Sequence, residues 1–129
     1  MAWKEKTIET AILNYLNKLG AVTEQNNSWK ILVKKAWYNH MMTLQSKWCP
    51  DITCLYKSRY IWIEVKKNEK EVSHWLKQRI RYDNWETIPK SYEREKDQIE
   101  YMYRIMENWW CFILTCELSE VEEFINNLK

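Results

Sequence analysis

At 129 residues, 46% of them apolar, the chain is sized for one domain with a modest core, and its single glycine excludes the phosphate-cradling glycine loops of ATP- and dinucleotide-dependent chemistry. The net charge of +2 hides a division. Asn26 to Pro50 holds no acidic residue, Lys57 to Lys90 has nine basic against five acidic residues, and Ser91 onward has nine acidic against four basic, so a phosphate-binding surface should come from the middle.

The opening Met1-Ala2-Trp3-Lys4-Glu5-Lys6 is too polar to begin a secretory signal, and no apolar run of about 18 residues is present to span a membrane. The expectation is an intracellular protein, cytoplasmic or nucleoid-associated. Cys49, Cys54, Cys111 and Cys116 are then free thiols; their two Cys-x4-Cys pairs could bind zinc, but both lie in strand-like apolar runs and read as buried structural cysteines.

A first helix is predicted over about Lys4 to Leu19, because Ile8, Ala11, Ile12, Tyr15, Leu16 and Leu19 share a stripe and Gly20 is a natural stop. Glu9 lies on the flank of that stripe. It is either a solvated surface glutamate or a carboxylate that leans into a site. Ser28 to Tyr38 reads as a strand carrying Lys30, Lys34 and Lys35, followed by a polar connection in which His40 has no partner pattern.

Asp51 to Lys66 reads as a hairpin turning at Lys57-Ser58-Arg59, with β-branched and aromatic residues on both sides. Alternation sends Ile61, Ile63 and Val65 to one face and Trp62, Glu64 and Lys66 to the other. Cross-strand pairing returns Asp51 to the neighbourhood of Glu64, so two carboxylates and an ammonium converge at the open end.

Beyond the hairpin, Glu71 to Tyr82 reads as a helix with Val72, Trp75, Leu76, Arg79 and Ile80 clustered, and Asn84 to Ser91 as a loop. Basic residues here, Lys67, Lys77, Arg79 and Arg81, interleave with Trp75, Tyr82, Trp85 and Tyr92. Cations for phosphates and rings for bases suit nucleic acid, although the same rings suit a core or a dimer interface. A helix over Tyr92 to Asn108 puts Met102, Ile105, Met106 and Trp109 on its buried stripe, and Gln98 falls on that stripe too. A polar side chain there either caps buried backbone or reaches a polar site. Trp110 to Cys116 reads as a buried strand, and Ser119 with Glu122 as a capping box for a last helix. The order is α-β-β-β-α-α-β-α, a mixed central sheet flanked by helices.

Pro50-Asp51, followed thirteen positions after Asp51 by Glu64-Val65-Lys66, resembles the catalytic motif of the PD-(D/E)xK nucleases, and more narrowly that of the small stand-alone virus-type replication-repair (VRR-NUC) nucleases. The match departs from that pattern in two places: Lys47-Trp48-Cys49 stands where a glycine is expected, and the Lys66 to Gln98 segment is longer. The resemblance implies one restriction-endonuclease-like α/β domain over residues 1–129, and Mg²⁺, with Mn²⁺ able to substitute, as cofactor. It implies Asp51, Glu64 and the Val65 carbonyl as metal ligands, with Glu9 adding a direct or water-mediated one. Lys66 would orient water or stabilise developing charge, and Gln98 would stand close by.

Lys30, Lys34, Lys35, Lys67, Lys77, Arg79 and Arg81 are the candidate nucleic-acid contacts. The function so implied is metal-dependent endonucleolytic hydrolysis of DNA. Branched, flapped or Holliday-junction substrates in replication, repair or recombination are expected, cut by a homodimer with no nucleotide cofactor and no membrane. A non-catalytic nucleic-acid-binding or assembly module, a sequence-specific homing or restriction endonuclease, and an RNA substrate stay open as alternatives.

Overall fold

The computed structural model describes residues 2–25 and 50–128. Helix α1 spans Ala2–Lys18 and ends where Gly20, at φ 85°, turns the chain; Ala21 N–H reaches back to the Leu16 carbonyl at 3.2 Å. Strands β1 (Val22–Gln25), β2 (Ile52–Tyr56) and β3 (Arg59–Val65) follow, then α2 (Glu69–Asp83), a short 3₁₀ turn (Lys90–Tyr92), α3 (Glu93–Glu107), β4 (Cys111–Thr115) and α4 (Leu118–Asn126). The element order agrees with the α-β-β-β-α-α-β-α expectation once β1 is counted as its first strand. The expected strand over Ser28 to Tyr38, with Lys30, Lys34, Lys35 and His40, lies outside the described residues; β1 precedes it, in a four-residue Val-Thr-Glu-Gln segment too short and polar to announce itself.

The sheet runs β1-β2-β3-β4. The first three strands are antiparallel and β4 lies parallel to β3, with Ile61 beside Cys111 and Val65 beside Thr115. Parallel pairing needs a crossover, and α2 and α3 provide it. One face of the sheet carries Ile52, Cys54, Ile61, Ile63, Val65 and Ile113, buried under Ile12 and Leu16 of α1 and Val121 and Ile125 of α4. On the other face Trp75 of α2 packs with Ile99 and Met102 of α3 against Phe112 and Leu114. Residues on neighbouring positions of β3 are thus buried on opposite sides, which is why that strand reads as nearly continuous apolar sequence.

Four expectations are corrected. The turn holds two residues, Lys57 and Ser58, and Arg59 already belongs to β3. Trp109 is 94% exposed and Met106 46% exposed rather than buried. The reason is the cap: α3 stops at Glu107, Trp109 takes φ 64°, and Trp110 N–H bonds the Ile105 carbonyl at 3.2 Å, so the chain leaves the helix before Trp109 joins its stripe. Leu76 and Ile80 are exposed as well, since α2 turns Trp75 and Gln78 inward. The Ser119–Glu122 box does not form: α4 starts at Leu118 with Glu117 as its N-cap, and it is Thr115 at the end of β4 whose hydroxyl accepts the Glu117 N–H at 3.1 Å.

Cys54, Cys111 and Cys116 are free thiols; Cys49 lies outside the described residues. No described helix is long and apolar enough to cross a membrane.

Lys57 and Ser58 have φ of 48° and 64°. A two-residue hairpin turn asks for positive φ at both positions, and side-chain-bearing residues there cost roughly 1–2 kcal/mol each relative to glycine or asparagine. Replacing the pair by Asn-Gly is expected to raise the unfolding midpoint by a few degrees in a thermal melt.

Candidate active site

The site is built at the end of the hairpin where β2 begins and β3 ends. Ile52 pairs with Ile63, so the next position outward sets Asp51 beside Glu64. With a two-residue turn, a separation of thirteen is the one that brings those two residues opposite each other. Asp51 locks the register: its Oδ2 accepts the Val65 N–H at 2.8 Å, a carboxylate standing in for the backbone acceptor that β2 no longer supplies. Lys66 continues β3 by one residue, donating its N–H to the Thr115 carbonyl at 2.8 Å.

Glu64, on the face turned toward α3, is only 3% exposed and Lys66 8%. Lys66 Nζ lies 3.5 Å from Glu64 Oε2. Above them sits Gln98 of α3, 5% exposed. Its Oε1 accepts from Lys66 Nζ at 3.2 Å and from the Trp75 indole N–H at 3.0 Å, while its Nε2 donates to Glu64 Oε2 at 3.3 Å. The polar residue on an apolar stripe therefore reaches a polar site, and Asp51 at the entry to β2, Glu64 and Lys66 at the end of β3, and Gln98 of α3 come together.

Helix α1 adds carboxylates from the other side. Glu9 is half-buried and accepts from Gln25 Nε2 of β1 at 2.5 Å, and its negative charge reaches Asp51. Glu5, one turn earlier, faces Asp51, Lys66 and Glu64 electrostatically. Sequence reading missed Glu5, although its spacing of four from Glu9 places both on one helix face. It also missed Trp75 as the second donor to Gln98, and Arg94, four residues before Gln98, whose charge acts on both Asp51 and Glu64.

Burial pushes the Glu64 carboxyl up to about 8, and the neighbouring Asp51 charge pushes the same way against the pull of Lys66 and Arg94. Asp51 is raised too: burial and the Glu9 charge outweigh the Val65 N–H, Lys66 and Arg94. Glu5 and Glu9 are also raised, each chiefly by burial. Carboxyl groups crowd here with too little positive charge to hold them as anions.

That imbalance is the test of fit for a cation. Among the described residues no three His, Cys, Asp or Glu side chains form a metal-binding group, so Glu9, bonded by Gln25, does not join Asp51 and Glu64 as a third ligand. Two carboxylates, from Asp51 and Glu64, suit a hard oxygen-liganded ion that keeps several waters, as Mg²⁺ does. The residues present fit such an ion.

The other expected substrate contacts are dispersed. Lys67 pairs with Glu71 at 3.4 Å, Arg79 with Asp83 at 4.0 Å, and Arg81 donates to Gln78 Oε1 at 2.9 Å; none of these, nor the exposed Lys77, enters the contacts around Glu64. Trp75 is core. Tyr82 stacks on Tyr103, Tyr92 meets His74 edge-on, and Trp85 is 95% exposed.

No family model and no curated protein sequence matches this chain. A solved structure described as "VRR_NUC domain" does match, covering 98% of both chains at a TM-score of 0.57 and 13% sequence identity. The chain has the VRR_NUC-type nuclease fold, as the hairpin motif led one to expect.

Two outcomes follow for the metal-free protein. Because folding raises the Glu64 pKa from 4.5 to about 8, the stability linked to its proton is full below pH 4.5 and lost as pH rises through 8. In EDTA, Glu64→Gln should flatten the fall in melting temperature between pH 6 and 9 that the wild type shows; equal profiles would refute the burial of that charge. Gln98→Leu leaves the Trp75 N–H and Lys66 without their buried acceptor and should cost about 1–3 kcal/mol in urea unfolding.

Proposed function

We propose that this chain is a divalent-metal-dependent endonuclease that hydrolyses DNA phosphodiester bonds and selects branched, flapped or four-way-junction DNA by shape. One observation carries the reading: Asp51, Glu64 and Lys66 meet at the end of a single hairpin under Gln98, in a chain with the VRR_NUC fold. Asp51, Glu64 and the Val65 carbonyl would hold Mg²⁺ or Mn²⁺, with Glu9 or Glu5 behind them. When bound, such an ion acts as a Lewis acid on the phosphate and lowers the pKa of its water.

The protein's own groups do the rest. Lys66 sets a positive charge beside Glu64, where it orients the attacking water or offsets charge growing on the phosphoryl oxygens. Gln98 holds the Lys66 ammonium through Oε1 and one Glu64 oxygen through Nε2, so both keep their aim when the ligand arrives. Lys30, Lys34, Lys35, Lys67, Lys77, Arg79 and Arg81 would supply charge for the DNA backbone, and a homodimer would present two such sites to two strands of a junction.

Duplex, single-stranded, flapped and four-way-junction DNA should be incubated with the protein in Mg²⁺, Mn²⁺ or EDTA, beside Glu64→Ala and Lys66→Ala. Metal-dependent cutting, highest on a branched substrate and lowered at least 100-fold by either variant, is the expected result. Binding without cutting, equal in wild type and variants, would overturn the catalytic reading and leave a nucleic-acid-binding module.

A further inference from the structure

Among the described residues, the cations nearest the motif have partners inside the protein. Lys66 is turned toward Glu64 and Gln98, and Lys67 is paired with Glu71. Farther along α2, Arg79 and Arg81 are held by Asp83 and Gln78.

Arg94 differs in position and in setting. It is exposed in the first turn of α3, four residues before Gln98. Side chains at that spacing lie on the same helix face, so Arg94 stands directly outside the amide that touches Glu64, Lys66 and Trp75. Helical side chains lean toward the N terminus, and at this end of α3 Arg94 is exposed to solvent. Gln98 bonds both Glu64 and Lys66, so the helix face that Arg94 shares with it is the one turned toward the site.

The first turn of α3 already holds the anions that its macrodipole favours, Glu93 and Glu95, so Arg94 adds nothing to the stability of that end, and no ion pair joins it to a described residue. A phosphate at the same place would meet an exposed guanidinium that no described residue pairs with.

We propose that Arg94 is the substrate-phosphate clamp of this site, its planar guanidinium taking the non-bridging oxygens of the phosphate that Asp51, Glu64 and Lys66 act upon. This rests on the nuclease reading above. A guanidinium presents two parallel N–H donors to two oxygens, which orients a phosphate as well as attracting it, and a lysine ammonium does not.

The test uses the full chain and labelled flapped DNA. Binding is measured by fluorescence anisotropy in Ca²⁺ over a salt series, and cleavage in Mg²⁺, for wild type, Arg94→Ala, Arg94→Gln, Arg94→Lys and Lys96→Ala. Loss of one phosphate contact should weaken binding about tenfold in Arg94→Ala and Arg94→Gln, and lower the slope of log Kd against log salt by about one. Arg94→Lys should restore the slope while still cutting more slowly, because charge returns without the fork. Lys96→Ala, a change to an exposed cation on the same helix, should match wild type.

If wild type cuts DNA and the Arg94 variants keep its salt slope and its KM, the clamp is overturned and the nuclease reading stands. If wild type cuts no substrate in either metal, the reading fails and the clamp fails with it. Unchanged melting temperatures in Arg94→Gln and Arg94→Lys separate a lost contact from a lost fold.

Discussion

The Gln98 side chain is the tie on which the site depends. An amide carries both a donor and an acceptor without net charge, so it can bond a carboxylate, an ammonium and an indole N–H together in a buried place. A charged residue in that position would add to one side of an already unbalanced cluster. An apolar residue would strand the partners. The same contact joins layers, because Gln98 belongs to α3, Trp75 to α2, and Glu64 and Lys66 to β3 and its extension. Local unfavourable electrostatics are thereby confined by packing rather than relieved by it, a pattern expected where a ligand supplies the missing charge.

Hairpin geometry sets the second constraint. A two-residue turn fixes which residues face each other, and the carboxylates of Asp51 and Glu64 meet only because the strands between them are matched in length. One inserted residue would send Asp51 or Glu64 to the opposite face, or leave them in different rows. The strained Lys57-Ser58 turn is tolerated at the far end because the sheet on either side of it is buried on the α1–α4 face and hydrogen-bonded on both edges of β3. Asp51 itself closes the register by taking the Val65 N–H, so one residue serves both strand pairing and the site.

Legibility in the sequence follows the range of the interactions. Period-two alternation around Ile61, Ile63 and Val65 and period-3.6 spacing on α1 and α3 are local patterns, and they placed the hairpin, the helices and the inward-facing Gln98. What failed was equally local in appearance but decided elsewhere. Trp109 looked like the next step of a buried stripe, yet a left-handed cap ended α3 two residues earlier. Ser119 and Glu122 had the spacing of a capping box, yet Thr115 from the preceding strand met the helix end first. Strand β1 carries no pattern of its own; four residues become a strand because the edge of β2 is there to receive them.

From residues alone, the chain determined its hairpin, its helices and the strand after α3, the paired carboxylates at one hairpin end and the presence of a lysine and a glutamine to accompany them. Those features rest on short-range spacing, which the backbone converts into geometry without help. Only the tertiary structure decided which cations stand near the carboxylates and which are occupied elsewhere, that Trp75 shares the Gln98 oxygen, and that Glu5 joins Glu9 from α1. These are contacts between elements distant in sequence, and burial sets their strength, since a charge counts for most where water is excluded.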